Sequence, residues 1–383
     1  MTTFEHFSKQ RMMKQEKIHF ENLNGLRFIG AFMVFLFHAF TINREVWGPF
    51  FESVPFVALR KLTSIGHYGV NLFFVLSGFL ITYLLLKELR ERGKIHVGFF
   101  LIRRVLRLWP LYFVLVLFGF FLFPHLPSGI QTVHEFWRYC LFLSNFDEII
   151  NGSRDSLNFL TATWSVSIEE QFYIGWAVVI GLFKWKTIRS FQTFFLLVIT
   201  SSFVFRIYYA GNQSFLYYHT ISVISDMGIG GLLATIVFGK ESVPFIERLK
   251  KWQIIGIYLL GTGFLFTAHK ILPGRLIAIE RLISGTFFAF VLIEQLKSKQ
   301  SFFKADRIPY FERAGKLTYG FYLFHSLLIY YICLTFESLH WNQHAAYFIL
   351  YFFILLMSNS LLSILSYRYF EKPLLNLKRY FRA

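Results

Sequence analysis

Two cysteines, Cys140 and Cys333, are all that this 383-residue chain contains. They form neither a CxxC pair nor a zinc spacing. A disulfide scaffold and a cysteine-based metal site are therefore excluded, one bridge between them is the most left open, and free buried thiols are the expectation. Charge is scarce as well. Only 16% of residues are charged, with 22 Asp and Glu against 39 Lys and Arg. Four long stretches have no such residue at all: Leu62 to Leu86, Leu108 to His134, Leu317 to Phe336 and Ser338 to Tyr367. A soluble core of this size would be interrupted by charges far more often. The catalytic loops of several enzyme classes are also missing. The sequence has no HExxH, no Walker loop, no GxGxxG and no GxSxG elbow, and its twelve His are scattered. No metal ligand set and no bound cofactor is expected. No long Gly/Ser-rich or Pro-rich linker divides the chain, and no fixed-period repeat is present.

What is abundant is apolar surface, with 55% hydrophobic residues and 51 Phe. Each charge-free stretch is long enough to cross about 30 Å of hydrocarbon as a helix. The pattern predicts an all-α, polytopic integral membrane protein with about ten transmembrane helices. They lie near 24–42, 64–86, 106–124, 164–183, 190–209, 219–238, 252–270, 277–296, 317–336 and 345–367. The net charge of +17 raises the question of nucleic acid, and its distribution answers it. Most Lys and Arg fall on one side of this ten-span scheme, as the positive-inside rule requires of the cytoplasmic face. The partner is the lipid bilayer, with no nucleic acid, and both termini are expected in the cytoplasm. Residues 1–20 then form a cytoplasmic tail, 21–375 one membrane domain, and 376–383 a second short tail. The first span serves as an uncleaved anchor, because no small-residue cleavage site follows a short apolar region. The longest polar stretch on the outer side runs from His125 to Ala162, with Asp147, Glu148, Asn151, Arg154 and Asp155. It is either a crossing loop or a cover for a pocket.

Polar residues inside such spans cost free energy, so they mark where chemistry is sought. Arg27 and His38 lie on one apolar helix, eleven residues apart. At about 100° per residue they share a face, about 16 Å apart along the axis. A neutral imidazole can take a proton from a hydroxyl, and a structural hydrogen bond across helices is the alternative. Phe100-Leu-Ile-Arg103-Arg104-Val-Leu-Arg107-Leu-Trp-Pro110 places arginines at helical spacing at a membrane boundary. Guanidinium groups grip phosphate through two parallel hydrogen bonds, which suits a nucleotide-like donor. A basic stop at the end of a span is the other reading. Trp164-Ser-Val-Ser-Ile-Glu169-Glu170-Gln171-Phe-Tyr173 opens a span with two carboxylates. They need partners there, or serve the helix dipole. In the segment Gly66 to Phe79, Gly69 and Gly78 permit close helix approach and Ser77 can bond across it. Tyr319, Tyr322 and His325 recur every three residues as a polar stripe, lining a cavity or an interhelical network.

Together, and in this order, these segments resemble the acyltransferase-3 family of membrane acyltransferases. The matching features are the Arg27 and His38 pair, GVNLFFVLSGF, RRVLRLWP, WSVSIEEQFY, LTYGFYLFH and the closing Tyr367-Arg-Tyr-Phe-Glu371-Lys-Pro373. The likeness covers residues 21 to 375. It implies transfer of an acyl group, most often acetyl, from acyl-CoA to a hydroxyl of a carbohydrate such as a cell-surface or exported polysaccharide, in a bacterial inner membrane. It implies catalytic His38 and Glu169, and donor binding by Arg27, Arg104 and Arg107. Glu170, Tyr319 and His325 are pocket candidates. Asn71 departs from the family, where many members carry Asp, so no charge role is carried over to it. An extracytoplasmic SGNH domain is not expected here, and a second transfer step would fall to a separate extracytoplasmic transferase. The rival readings are a flippase or transporter of a lipid-linked sugar and a non-catalytic scaffold.

Overall fold

A computed structural model describes residues 20–41, 52–126, 129, 133–152, 159–182, 187–240, 242–341 and 345–381. The N-terminal tail expected over 1–20 lies almost wholly outside them, as do Arg154, Asp155 and Arg382. Among the described residues the chain is predominantly helical, with no strand. The principal helices are α1 (Leu23–Thr41), α2 (Gly69–Arg92), α3 (Val97–Leu117), α4 (Phe136–Cys140), α5 (Ser144–Asn151), α6 (Thr163–Leu182) and α7 (Ile188–Tyr208). They continue with α8 (Thr220–Val237), α9 (Lys251–Ile271), α10 (Glu280–Lys297), α11 (Thr318–Ser338), α12 (Ala345–Ser366) and α13 (Lys372–Asn376), which runs into a 3-10 turn, Leu377–Phe381.

Nine helical stretches among the described residues are long and apolar enough to cross a membrane. The expected span from Trp164 also forms, as α6, but the polar residues Glu169, Glu170 and Gln171 keep it out of that apolar set. Its 20 residues still reach about 30 Å. Large apolar side chains point outward, as a lipid solvent allows: Leu260 on α9 is 77% exposed and Met357 on α12 is 70% exposed. The two cysteines form no disulfide, and the Cys333 thiol lies 3.6 Å from the Tyr351 hydroxyl.

The bundle centre is held by backbone approach, because lipid tails offer no hydrophobic drive between helices. A Cβ on Gly78 of α2 would collide with the Met227 carbonyl of α8, and one on Gly230 of α8 with the Val75 carbonyl of α2. Gly69 meets Gly30 of α1 in the same way. These contacts bring α1 and α8 against α2, which packs between them.

The stretch after His125 is not a simple crossing loop. Helices α4 and α5 fold back into the bundle, and Phe142 at their turn packs against Trp109, Tyr112 and Phe113 of α3. Asn145, Asp147 and Glu148 are buried. Asp147 is bound by His134 and Arg138, and Tyr112 donates to the Tyr139 carbonyl at 2.9 Å.

Gly78→Ala should force α2 and α8 apart and cost about 1–3 kcal/mol, seen as a lower unfolding temperature of the detergent-solubilised protein. Gly256→Ala on α9, where a Cβ meets nothing within 4 Å, should leave that temperature unchanged or slightly raised. Equal behaviour of the two variants would contradict close packing at Gly78.

Candidate active site: two cavities and a histidine pair

Side chains from five helices line a narrow cavity. Arg27 comes from α1, Ser77 from α2, Arg104 and Arg107 from α3, Ser165, Glu169 and Tyr173 from α6, and Tyr319 and Tyr322 from α11. The helical repeat explains the α3 pair, since i and i+3 share a face. Arg103 turns away and binds Glu88 at 3.3 Å and the Phe381 carbonyl at 2.8 Å. Glu169 accepts a hydrogen bond from Ser77 at 2.7 Å, with Tyr173 as a further partner. The Arg104 guanidinium lies over the rings of Phe100 and Tyr173, at 5.6 and 5.7 Å from their centroids. Its Nε is buried without a hydrogen-bond partner among the described residues. Arg27 donates to Asn24 Oδ1 at 3.2 Å.

His38 opens onto a different cavity, of about 640 Å³. Trp164, Tyr217 and Tyr218 supply aromatic faces there, and Asn71, Gln213, Ser214, His67 and Glu280 supply hydrogen-bonding groups. Arg206 clips this end of the bundle together. It donates to the Leu216, Ala278 and Ile277 carbonyls at 3.0, 3.2 and 3.3 Å and to Ser222 Oγ at 2.9 Å. Arg281 is paired with Asp226 at 2.8 Å. One group of possible metal ligands occurs here, among the described residues. Ligand atoms of His67, His269 and Glu280 lie within 4.8 Å of one another. Glu280 is already engaged, by the Tyr68 hydroxyl on one oxygen and by Arg206 at 3.5 Å from the other.

Tyr322 lines the first cavity and not the second. Its hydroxyl and Ser165 Oγ are 2.6 Å apart, and Phe73 packs edge-on against its ring. The Tyr322 carbonyl receives a hydrogen bond from His325 Nδ1. A carbonyl only accepts, so the His325 proton sits on Nδ1 and its Nε2 carries a lone pair. His38 Nδ1 lies 2.5 Å from that Nε2 and must therefore donate to it. The lone pair of His38 is left on Nε2, the nitrogen free to accept a proton. The two rings are within 5° of parallel.

The expected site residues thus divide. Arg27, Arg104, Arg107, Glu169 and Tyr319 meet in the first cavity, where Tyr319 also donates to the Leu108 carbonyl at 2.6 Å. His38 and His325 form a pair beyond it. Although Arg27 and His38 share a helix face, they border different cavities. Glu170 lines neither cavity; it accepts from Trp109 Nε1 at 2.8 Å and ties α6 to α3. Asn71 holds Ser284 at 3.4 Å. Tyr217 and Tyr218 were not anticipated, and an aromatic pair just before an apolar span was their only signal.

The sequence model of the acyltransferase-3 family, described as an acyltransferase domain, matches residues 20–368. The chain is 26% identical over 386 aligned residues to "Putative O-acetyltransferase SACOL0978" of Staphylococcus aureus (strain COL), covering 96% of this chain and 58% of that protein. It is also 26% identical over 332 residues to the O-acetyltransferase OatA of S. aureus (strain NCTC 8325 / PS 47), covering 81% of this chain and 53% of OatA. The chain therefore spans a little over half the length of these relatives. No solved structure matches it.

His325→Leu should strand the His38 Nδ1 proton without an acceptor and cost about 1–3 kcal/mol of stability. Adding His38→Leu should recover part of that loss, because no orphaned donor remains. Strictly additive losses in unfolding temperature would contradict the hydrogen bond between the rings.

Proposed function

The chain belongs to the acyltransferase-3 family, and on that premise we propose that it is an O-acyltransferase of the bacterial inner membrane that moves an acetyl group from acetyl-CoA to a carbohydrate hydroxyl. The observation that carries the reading is the pairing of a cation-lined cavity with a second cavity whose histidine has its free nitrogen assigned by hydrogen bonding. The donor's phosphates bind at Arg104, Arg107 and Arg27, whose planar forks match phosphate oxygens. Ser77, Glu169 and Tyr173 hold the walls of that cavity in place. The acyl arm extends toward Tyr322.

The acceptor occupies the larger cavity. Aromatic faces beside amide and hydroxyl groups suit a sugar ring, which presents apolar C–H faces and a rim of hydroxyls. His38 Nε2 takes the hydroxyl proton as the oxygen attacks the thioester carbonyl. The carbon–sulfur bond then breaks, and the new imidazolium returns the proton to the departing thiolate. His325 keeps the His38 ring in the tautomer that this exchange needs, and its lone pair supports the charge that forms. The bias of Lys and Arg supports a topology with both termini and the donor cavity at the cytoplasmic face and the acceptor cavity at the outer face.

His38→Gln keeps a hydrogen-bonding group of similar reach but has no useful basicity. In full-length protein in nanodiscs, given acetyl-CoA and a panel of soluble oligosaccharides, it should lose about 10²–10⁴-fold in transfer rate with acetyl-CoA affinity retained. Full transfer by that variant would move the base elsewhere. Arg104→Ala or Arg107→Ala should instead weaken acetyl-CoA binding, with about 1.5–3 kcal/mol at stake, and Lys should rescue only in part. Unchanged affinity in folded variants would remove the donor from this cavity.

A further inference from the structure

The cavity onto which His38 opens is also lined by three ligand-bearing side chains that the proposed reaction does not use: His67, His269 and Glu280. Their ligand atoms lie within 4.8 Å of one another. Each comes from a different element. His67 sits on the 3-10 turn Ser64–Tyr68, His269 in the last turn of α9, and Glu280 at the first position of α10. Among the described residues no hydrogen bond or ion pair joins any two of them; the bonds of His67 and Glu280 go to other groups. Three Lewis bases converge without sharing a proton.

Two of the three are held in the state that a metal ion needs. His67 Nδ1 lies 2.7 Å from the Ser64 carbonyl. A carbonyl only accepts, so the proton is on Nδ1 and the lone pair on Nε2. A histidine oriented through its other nitrogen by a backbone carbonyl is the usual arrangement of a metal-bound imidazole. The turn that carries it is pinned to α1. A Cβ on Gly66 would collide with the Met33 carbonyl, and the His67 ring packs against Phe37 at 5.5 Å. Glu280 accepts from the Tyr68 hydroxyl on one oxygen and lies 3.5 Å from Arg206 through the other. A carboxylate has about four lone-pair positions, so these contacts orient it and leave room for a further bond. His269 is exposed and makes no side-chain hydrogen bond among the described residues, so its ring can turn onto an ion. The nearby cations are engaged elsewhere. Arg281 pairs with Asp226 at 2.8 Å, and Arg206 donates to three carbonyls.

We propose that His67, His269 and Glu280 bind one zinc ion on the wall of the His38 cavity. Two imidazoles and one carboxylate suit zinc, whereas magnesium and calcium take oxygen ligands. Zinc about 2.0–2.2 Å from each ligand holds tetrahedral ligand atoms about 3.4 Å apart. Closure of the cluster onto the ion therefore asks for shifts of about an ångström, within reach of the exposed His269 side chain. Three protein ligands leave the fourth position for water or for an oxygen of the cavity's occupant. The ion would also tie the turn before α2 to α9 and α10. The site stands whether or not the donor in the other cavity is acyl-CoA. A protonated His269 facing Glu280, with no metal, is the competing account of the same cluster.

The test is zinc binding to tag-free, full-length protein in nanodiscs of neutral lipid, stripped with a chelator and then titrated against a zinc-buffering dye. Wild type should take up one zinc per chain and unfold at a higher temperature with zinc than without. His269→Ala should lose about 100-fold or more in zinc affinity, together with the zinc-dependent rise in unfolding temperature. Because the residue is exposed, the metal-free unfolding temperature of that variant should match wild type. His67→Gln should lose zinc in the same way. His125→Ala, an exposed histidine outside the cavity, should change neither reading. Magnesium in about hundredfold excess should not displace the zinc. No zinc uptake by wild type overturns the proposal and assigns the cluster to a metal-free charge pair. Uptake unchanged in His269→Ala overturns it as well, since the zinc would then sit on other groups. Uptake as expected in protein that fails to bind acetyl-CoA would support this site and refute the acyl-CoA reading alone.

Discussion

Across the α1–α11 interface, His38 Nδ1 donates to His325 Nε2 over 2.5 Å, while His325 donates to the Tyr322 carbonyl. That chain begins at a fixed backbone acceptor, so each proton position along it follows from the one before. Tyr322 has a second part to play. Its hydroxyl meets Ser165 Oγ on α6 at 2.6 Å, and both residues line the cation-lined cavity. One turn of α11 thus supplies both a wall of that cavity and the backbone acceptor that fixes the histidine pair.

The buried charges of this bundle fall into two kinds. At the end where His38 opens, Arg281 is paired with Asp226, and Arg206 is saturated by carbonyls and Ser222. Asp226 neutralises the Arg281 charge, while Arg281 Nε has no hydrogen-bond partner among the described residues. At the other end, Arg27, Arg104 and Arg107 have no carboxylate within ion-pair distance among the described residues. Arg104 makes do with aromatic faces, and its Nε has no partner there. A membrane protein tolerates such groups where an anionic ligand shares the site. The two ends therefore differ in carboxylate pairing and not in unpartnered nitrogen atoms, which both hold.

Much of this was legible in the residues alone. Charge-free runs located the spans, because hydrocarbon forbids what those runs lack. Gly69 and Gly78 read correctly as contact points, since a missing Cβ matters most where backbones touch. Arg104 and Arg107 shared a face as helical geometry requires. Three features were not legible. Arg27 and His38 project onto one face, but the axial rise between them carries each to a different cavity. The stretch that holds α5 read as either a crossing loop or a pocket cover, and Asp147 is buried in it because His134 and Arg138, 13 and 9 residues earlier, satisfy it. Residues 376–383 read as a short tail, since nothing in their own sequence shows that the turn Leu377–Phe381 folds against α3. In each case the deciding contact is tertiary, and periodicity reports only local geometry.

The most direct test of the account is a structure of the protein with a non-transferable acetyl-CoA analogue, its thioester sulfur replaced by a methylene group. The account predicts the diphosphate against Arg104 and Arg107, the pantetheine arm passing Tyr322, and the acyl carbonyl within reach of a hydroxyl hydrogen-bonded to His38 Nε2. An analogue bound with its acyl group far from His38, or with its phosphates away from the α3 arginines, would contradict it.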